Sequence, residues 1–250
     1  MDHHAQLSYQ LKRLKLSGIL DTIDMRLLES QQNQLDYKSF LSLLLQDEIE
    51  ARQARKVGRL LQHAHFGTEQ TLENFDFTLS PNLNATLIRE LATASFIQRG
   101  QGAIFVGPPG TGKTHLAKAL GHAACRRGYS VRFYKFHKLF SDIIKADLSG
   151  KCDELISALI KCDLLILDDF AFRKVDQNSS EHLYTIVDSR YGSRAIILTS
   201  NRAMNDWMGI FPDPVIAGAI LDRLTHQAHQ IQLKGESNRK KMSPQSPIRS

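Results

Sequence analysis

Apolar residues along this chain change their spacing, and the change divides it. From Leu7 to Leu27 they recur at helical intervals, at Leu7, Leu11, Leu14, Ile19, Ile23 and Leu27. Gly18 is expected to split this run into two helices. The polar run Ser30-Gln31-Gln32-Asn33-Gln34 predicts a loop. Asp36 can cap a further helix from about Tyr37, with Phe40, Leu41, Leu44, Leu45 and Ile49 on one side. Residues 1–66 therefore read as a small all-α module of three or so helices.

Beyond it the pattern shortens to strand-like runs separated by helical ones. Ala103-Ile104-Phe105-Val106 is a brief apolar run with β-branched and aromatic bias. Val131 to Phe136 alternates, and Leu164-Leu165-Ile166-Leu167 is apolar throughout, as in a strand buried on both faces. Ala195 to Leu198 repeats that character, and His229 to Leu233 alternates again. Helical runs lie between them: Leu116 to Arg127, the stretch with Leu139 to Ile144, Leu155 to Ile160, and Val215 to Leu224. A helix is also expected over Asn84–Ile97, and a short one over Met204–Phe211, broken by Pro212-Asp213-Pro214. Five strands alternating with helices predict an α/β domain over 67–235 with a mainly parallel sheet flanked by helices. Residues 236–250 are rich in Ser, Pro and Lys and read as a disordered basic tail too short to build a C-terminal lid domain.

The chemistry sits where strands end. After Val106 come Gly107, Pro108, Pro109, Gly110, Thr111, Gly112, Lys113 and Thr114, which fit G-x-x-x-x-G-K-[ST] without mismatch. A strand before it and a helix after it are the order a phosphate-binding loop needs. Glycines let backbone N–H groups close on a polyphosphate, and the helix N-terminus adds partial positive charge. Lys113 is suited to the β- and γ-phosphates, and the Thr114 hydroxyl to Mg²⁺. The buried run Leu164–Leu167 ends in Asp168 and Asp169, at the mouth of such a sheet. Asp168 is expected to hold Mg²⁺ and Asp169 to orient or activate the attacking water. The run Ala195–Leu198 ends in Thr199, Ser200 and Asn201, and Asn201 can bond the γ-phosphate or that water. Phe75 and Phe77 flank Asp76 ahead of the domain, where aromatics either pack on a base or anchor the core.

Composition adds limits. In 250 residues, 42% are hydrophobic and 23% charged, and the formal charge is +6. Most of that excess is carried by residues 234–250, with five basic and one acidic side chain, since residues 1–70 hold nine of each and residues 71–233 eighteen and sixteen. A local basic stripe, Arg52, Arg55, Lys56 and Arg59, makes the helical module a candidate for docking DNA or a partner protein, beside the plainer role of completing the fold. No apolar run approaches the ~20 residues of a membrane span, and the N-terminus lacks signal-peptide character, so a cytoplasmic protein is expected. Cys125, Cys152 and Cys162 predict reduced thiols, and no Cys/His spacing suits zinc. The one metal expected arrives with the nucleotide.

Taken together, Gly107–Thr114, Leu164–Asp169, Ile196–Asn201 and Asp222-Arg223-Leu224 resemble the AAA+ ATPases. Phe40–Phe77, with its Glu-Ile-Glu-Ala-Arg helix, narrows the resemblance to the DnaC-related helper ATPases of the IstB type. So do Ile220–Leu224 and Gly235-Glu236-Ser237-Asn238-Arg239. The resemblance implies ATP and Mg²⁺ as ligands, with Asp168 and Asp169 at the Walker B positions and Asn201 at sensor 1. It implies Arg223 as an arginine finger reaching a neighbouring subunit's ATP, and Arg239 as sensor 2. Many AAA+ proteins have Glu where this chain has Asp169, and the shorter arm implies slow hydrolysis; the resemblance implies that it depends on assembly and DNA. The implied partners are duplex DNA, a cognate transposase and further copies of the chain, with ATP at subunit interfaces. The alternative is a replicative helicase loader acting on single-stranded DNA. A small-molecule kinase is a third reading, and it leaves Arg223 and the basic helix without a role.

Overall fold

The computed structural model describes residues 3–80 and 82–235. The chain divides into two compact units, Met1–Arg59 and Leu60–Ser250. The first is helical: α1 (His3–Arg13), α2 (Ser17–Asn33) and α3 (Tyr37–Ala64), the last running past the division. Its core is Leu11, Ile19, Ile23 and Leu44, with Leu16, Leu20 and Phe40 packed against them.

Two sequence expectations fail in this unit. The break between α1 and α2 falls at Lys15, in the left-handed region (φ 56°), and not at Gly18. Gly18 lies in the first turn of α2, where a Cβ would stand 2.7 Å from Ala51 Cβ and 2.8 Å from the Asp47 carbonyl. It is a contact glycine, not a hinge. The polar run at Ser30 continues α2 to Asn33, and the stop comes from left-handed Gln34, whose N–H bonds the Ser30 carbonyl. Gln and Asn weaken a helix only slightly, so polar composition alone did not end it. The buried Glu48 carboxylate accepts from the N–H groups of Gly18 (2.6 Å) and Ile19 (3.3 Å), which supply the missing cap of α2.

The second unit contains α4 (Ala85–Ala92), α5 (Ser95–Gln98), β1 (Gly102–Val106), α6 (Lys113–Arg126), β2 (Val131–Lys135), α7 (Phe136–Leu148) and α8 (Cys152–Lys161). It continues with β3 (Leu164–Asp168), α9 (Gln177–Arg190), β4 (Ala195–Ser200), α10 (Pro214–His226) and β5 (Ala228–Gln232). The sheet order is β2-β3-β4-β1-β5, with every pairing parallel. The α/β expectation therefore holds, with two refinements. The helix expected over Asn84–Ile97 breaks at left-handed Ala94 (φ 62°) into α4 and α5. The stretch at Met204 makes two 3-10 turns, Met204–Asp206 and Met208–Ile210, around fully buried Trp207.

Alternation along the strands feeds two cores. Leu164 and Ile166 point into one, with Phe105, Leu116 and Leu120 of the α6 side; Leu165 and Leu167 point into the other, with Leu139, Ile186, Trp207 and Ile220. Each such buried aliphatic contributes roughly 1.5–3 kcal/mol relative to exposure. Strand order reverses around β1: the chain leaves it for the far edge, returns through β3 and β4, and closes with β5. The carboxyl ends of β1, β3 and β4 thus form the crevice where ligands of such sheets bind.

At the opposite, amino end of the sheet, Arg190 is completely buried. Its guanidinium donates to the carbonyls of Leu159 (2.6 Å), Ile160 (3.1 Å), Cys162 (2.8 Å), Asp163 (3.3 Å) and Ala195 (2.6 Å). It ties the last turn of α8 to the starts of β3 and β4.

Candidate functional site

The loop after β1 turns at Gly112 (φ 96°), where a Cβ would also meet the Phe75 ring at 2.7 Å. Only glycine meets both demands. The Lys113 side chain opens α6 and folds across the loop, its Nζ donating to the carbonyls of Gly107 and Pro108, each at 2.7 Å. Thr111 Oγ1 donates to the Pro108 carbonyl at 2.9 Å. The N–H groups at the start of α6 and the Lys113 ammonium make this end of the crevice positive.

Asp168 closes the site from β3. Its Oδ1 accepts from Thr114 Oγ1 (2.7 Å) and from Thr199 Oγ1 (2.6 Å). Asp168 is almost wholly buried, and burial pushes its carboxyl above the ordinary range, with the Thr199 and Thr114 hydrogen bonds opposing that shift. Asp169 stands in the left-handed region (φ 56°), as does Ala171 (φ 63°), a conformation that costs a non-glycine residue roughly 1–2 kcal/mol. The tip of β4 holds it there. Asp169 N–H donates to Thr199 Oγ1 (3.0 Å), Phe170 N–H to the Thr199 carbonyl (2.7 Å), and Ser200 Oγ to the Phe170 carbonyl (2.8 Å). Asn201 Nδ2 donates to Asp169 Oδ1 at 3.2 Å.

A cleft of about 590 Å³ joins these groups, bounded by Lys113, Thr114, Asp168, Asp169 and Asn201 on one side and by Asn74, Phe75 and His115 on another. Phe75 anchors the core and also lines the cleft. It packs edge-on against His115 at 5.3 Å, on the cleft wall. The oxygen pair of Asp168 and Thr114 is a hard donor set of the kind Mg²⁺ selects.

The structure thus brings together the loop residues, Asp168, Asp169 and Asn201. Arg223 lies elsewhere, on α10 toward the amino ends of β1 and β4, in a small crevice with Gly102 and Arg194. Its guanidinium pairs with Asp188 (2.9 Å), donates to the Ala219 carbonyl (2.9 Å) and stacks near Tyr184 (5.4 Å) and Tyr191 (5.9 Å). In the helical unit, Arg52 and Arg55 are exposed but already paired. Both bond the Glu48 carboxylate (2.7 and 3.3 Å), Arg52 also reaches the Lys15 carbonyl, and Arg55 bonds Ser17 Oγ. Lys56 and Arg59 are exposed. Arg239 and the segment 236–250 lie outside the described residues.

Sequence reasoning missed the role of Thr199, whose single hydroxyl fixes both aspartates. The signal available was a Thr at the tip of the strand that neighbours the acidic one.

A parallel sheet with its phosphate loop after β1, paired aspartates after β3 and a polar tip on β4 defines a P-loop nucleotide-binding protein of the AAA+ class. Within that class the chain belongs to the family of IstB-like ATP-binding proteins, whose model matches residues 9–246. It is 41% identical over 94% of both chains to the "Putative ATP-binding protein Rv3427c in insertion sequence" of Mycobacterium tuberculosis. It is 36% identical to the "Insertion sequence IS21 putative ATP-binding protein" of Pseudomonas aeruginosa, over 94% of this chain and 89% of that one. Among solved structures, the DnaC helicase loader aligns with a TM-score of 0.55 at 21% identity, over 70% of this chain and 98% of its own, a likeness of fold. AMPPCP-bound DnaA from Aquifex aeolicus aligns with a TM-score of 0.57 at 25% identity, over 68% of this chain and 52% of that one. Among the described residues no helix is long and apolar enough to cross a membrane.

Proposed function

We propose that this chain is an ATP-hydrolysing helper of DNA transposition. In this reading it assembles with ATP at its subunit interfaces on duplex DNA and recruits or stimulates a transposase. The observation that carries it is the split of the catalytic set. Lys113, Thr114, Asp168, Asp169 and Asn201 converge on one cleft, whereas Arg223 is half-exposed at the other end of the sheet. A second copy is then needed to bring an arginine to the phosphates, which makes hydrolysis depend on assembly. The insertion-sequence relatives support the transposition setting, and the AMPPCP-bound neighbour supports an adenine nucleotide in the cleft.

Within one chain, the loop N–H groups and Lys113 bind the phosphates, Asp169 accepts a proton from water, and Asn201 orients Asp169 and that water. Thr114 and Asp168 would hold Mg²⁺, which supplies neutralisation of phosphate charge. The test is ATP turnover measured alone, with duplex and with single-stranded DNA, alongside particle imaging of each mixture. Duplex-stimulated turnover in assembled particles is expected, and Arg223→Ala should retain ATP binding while losing that stimulation. Stimulation by single strands alone would favour a helicase loader, and full turnover by monomeric Arg223→Ala would remove Arg223 from the site.

A further inference from the structure

A second cavity, of about 460 Å³, lies beside the nucleotide cleft, between Phe66, α6, the end of β2 and the first turns of α7. Lys118, Lys135 and Lys138 converge on its wall. Its floor is aromatic: the Phe66 and Phe133 rings stand 6.2 Å apart, and Lys118 Nζ lies 5.0 Å from the Phe133 centroid.

The charge in this cavity is not balanced from within. Lys135 and Lys138 are exposed, and neither they nor Lys118 has an ion-pair partner among the described residues. One carboxylate, Asp142, shares the wall, and it stands 4.0 Å from Lys145. Lys118 is half-buried, with a long hydrogen bond to Thr68 Oγ1 (3.4 Å). Burial draws its ammonium below the ordinary range, with nearby Asp168 opposing and Lys135 adding to the effect. The basic stripe in the helical unit differs, since Arg52 and Arg55 are already paired with Glu48. Three amines held together without enough carboxylate, over an aromatic floor, are suited to a phosphate group and the sugar or base attached to it.

We propose that this cavity binds a phosphodiester of the nucleic-acid backbone, with Lys138 and Lys135 on the phosphate and Lys118 behind them. The inference rests on the DNA-binding reading above and gives it a location. Lys118, Phe133 and Lys135 line the nucleotide cleft as well, so the two anion sites are continuous, and Lys138 is the lysine that belongs to the second alone.

The test uses the full chain, a fluorescently labelled duplex titrated over a series of salt concentrations, and a fluorescent ATP analogue. Lys138→Ala should weaken duplex binding roughly fivefold and lower the slope of log affinity against log salt by about one. It should leave analogue binding and thermal unfolding unchanged, because Lys138 is exposed on α7. Lys135→Gln should weaken both ligands. Unchanged duplex affinity and slope in Lys138→Ala would overturn the cavity as the contact, while DNA binding by the wild type left the broader reading standing. A wild type that binds no duplex would overturn the broader reading itself. Two ATP molecules per chain in equilibrium dialysis, reduced to one by Lys138→Ala, would assign the cavity to free nucleotide and overturn the phosphodiester.

Discussion

The two ends of the sheet each bury a charged side chain held chiefly by neutral hydrogen-bonding groups among the described residues, and they do so differently. Asp168, at the carboxyl end, is stabilised by two hydroxyls that both reach the same oxygen. Arg190, at the amino end, is stabilised by five backbone carbonyls that engage both of its terminal nitrogens. Neutral dipoles can hold a charge in either case. The arginine's terminal donors are closed off in a knot between elements, which suits architecture. The aspartate is bonded on one oxygen and borders an open cleft, which suits chemistry. Arg190 Nε is left unpaired but sealed in the interior, so the difference between a structural and a working buried charge is whether the bonding capacity left over faces an open cleft.

Breaking the closed end should have the largest effect. Arg190→Met removes the donors and strands the carbonyls, and is expected to destabilise the protein by about 3–5 kcal/mol, read by urea denaturation. At the open end, Asp168→Asn should lower ATP turnover by at least about 100-fold while raising the stability of the nucleotide-free protein. The sign follows from burial. An acid whose folded pKa is raised destabilises the fold progressively as pH climbs from its unfolded value through the folded one, so the neutral amide removes that cost at neutral pH. A gain of ~1 kcal/mol would raise Tm by roughly 2–4 °C; an unchanged or lower Tm would contradict the contrast drawn here.

Thr199→Val tests the link between the two aspartates more gently. It removes the donor to Asp168 and the acceptor for Asp169 N–H, and turnover should fall about tenfold. Thr199→Ser should keep it near the wild-type level, whereas a merely space-filling residue would tolerate Val and lose activity with Ser.

The smallest effect is expected from an ion pair that has its counter-ion. Arg26 bonds Asp47 at 2.7 Å and holds that carboxyl down to about 2. A depressed acid stabilises the fold above its unfolded pKa of ~3.9 and loses that contribution as pH falls through the folded value. The destabilisation caused by Arg26→Met, measured by denaturation, should therefore shrink as pH drops from ~4 toward 2.

Much of the open end was legible in the sequence because its signals are local. The glycine loop, the acid after Leu164–Leu167 and Asn201 after a buried run each declare themselves within a few residues. The closed end was not legible, since a helical arginine ordinarily reads as surface. Its spacing does carry the signal: Leu183, Ile186, Val187 and Arg190 share one buried face of α9. The fate of Arg52 and Arg55 was hidden for a different reason. Their partner Glu48 lies on the same helix, but it is anchored by a turn more than twenty residues away, and a charge count cannot see that. The end of α2 was misplaced because its stop is a backbone conformation at Gln34, not a composition.

The way the chain leaves β5 has one more consequence. Leu233 N–H bonds the Val106 carbonyl at 2.8 Å, and a Cβ on Gly107 would land on the Leu233 carbonyl oxygen. The backbone thus departs right beside the phosphate loop. The exit of the last strand therefore forms part of the loop's own wall, so Gly107→Ala would push on main chain, which cannot swing aside as a side chain can.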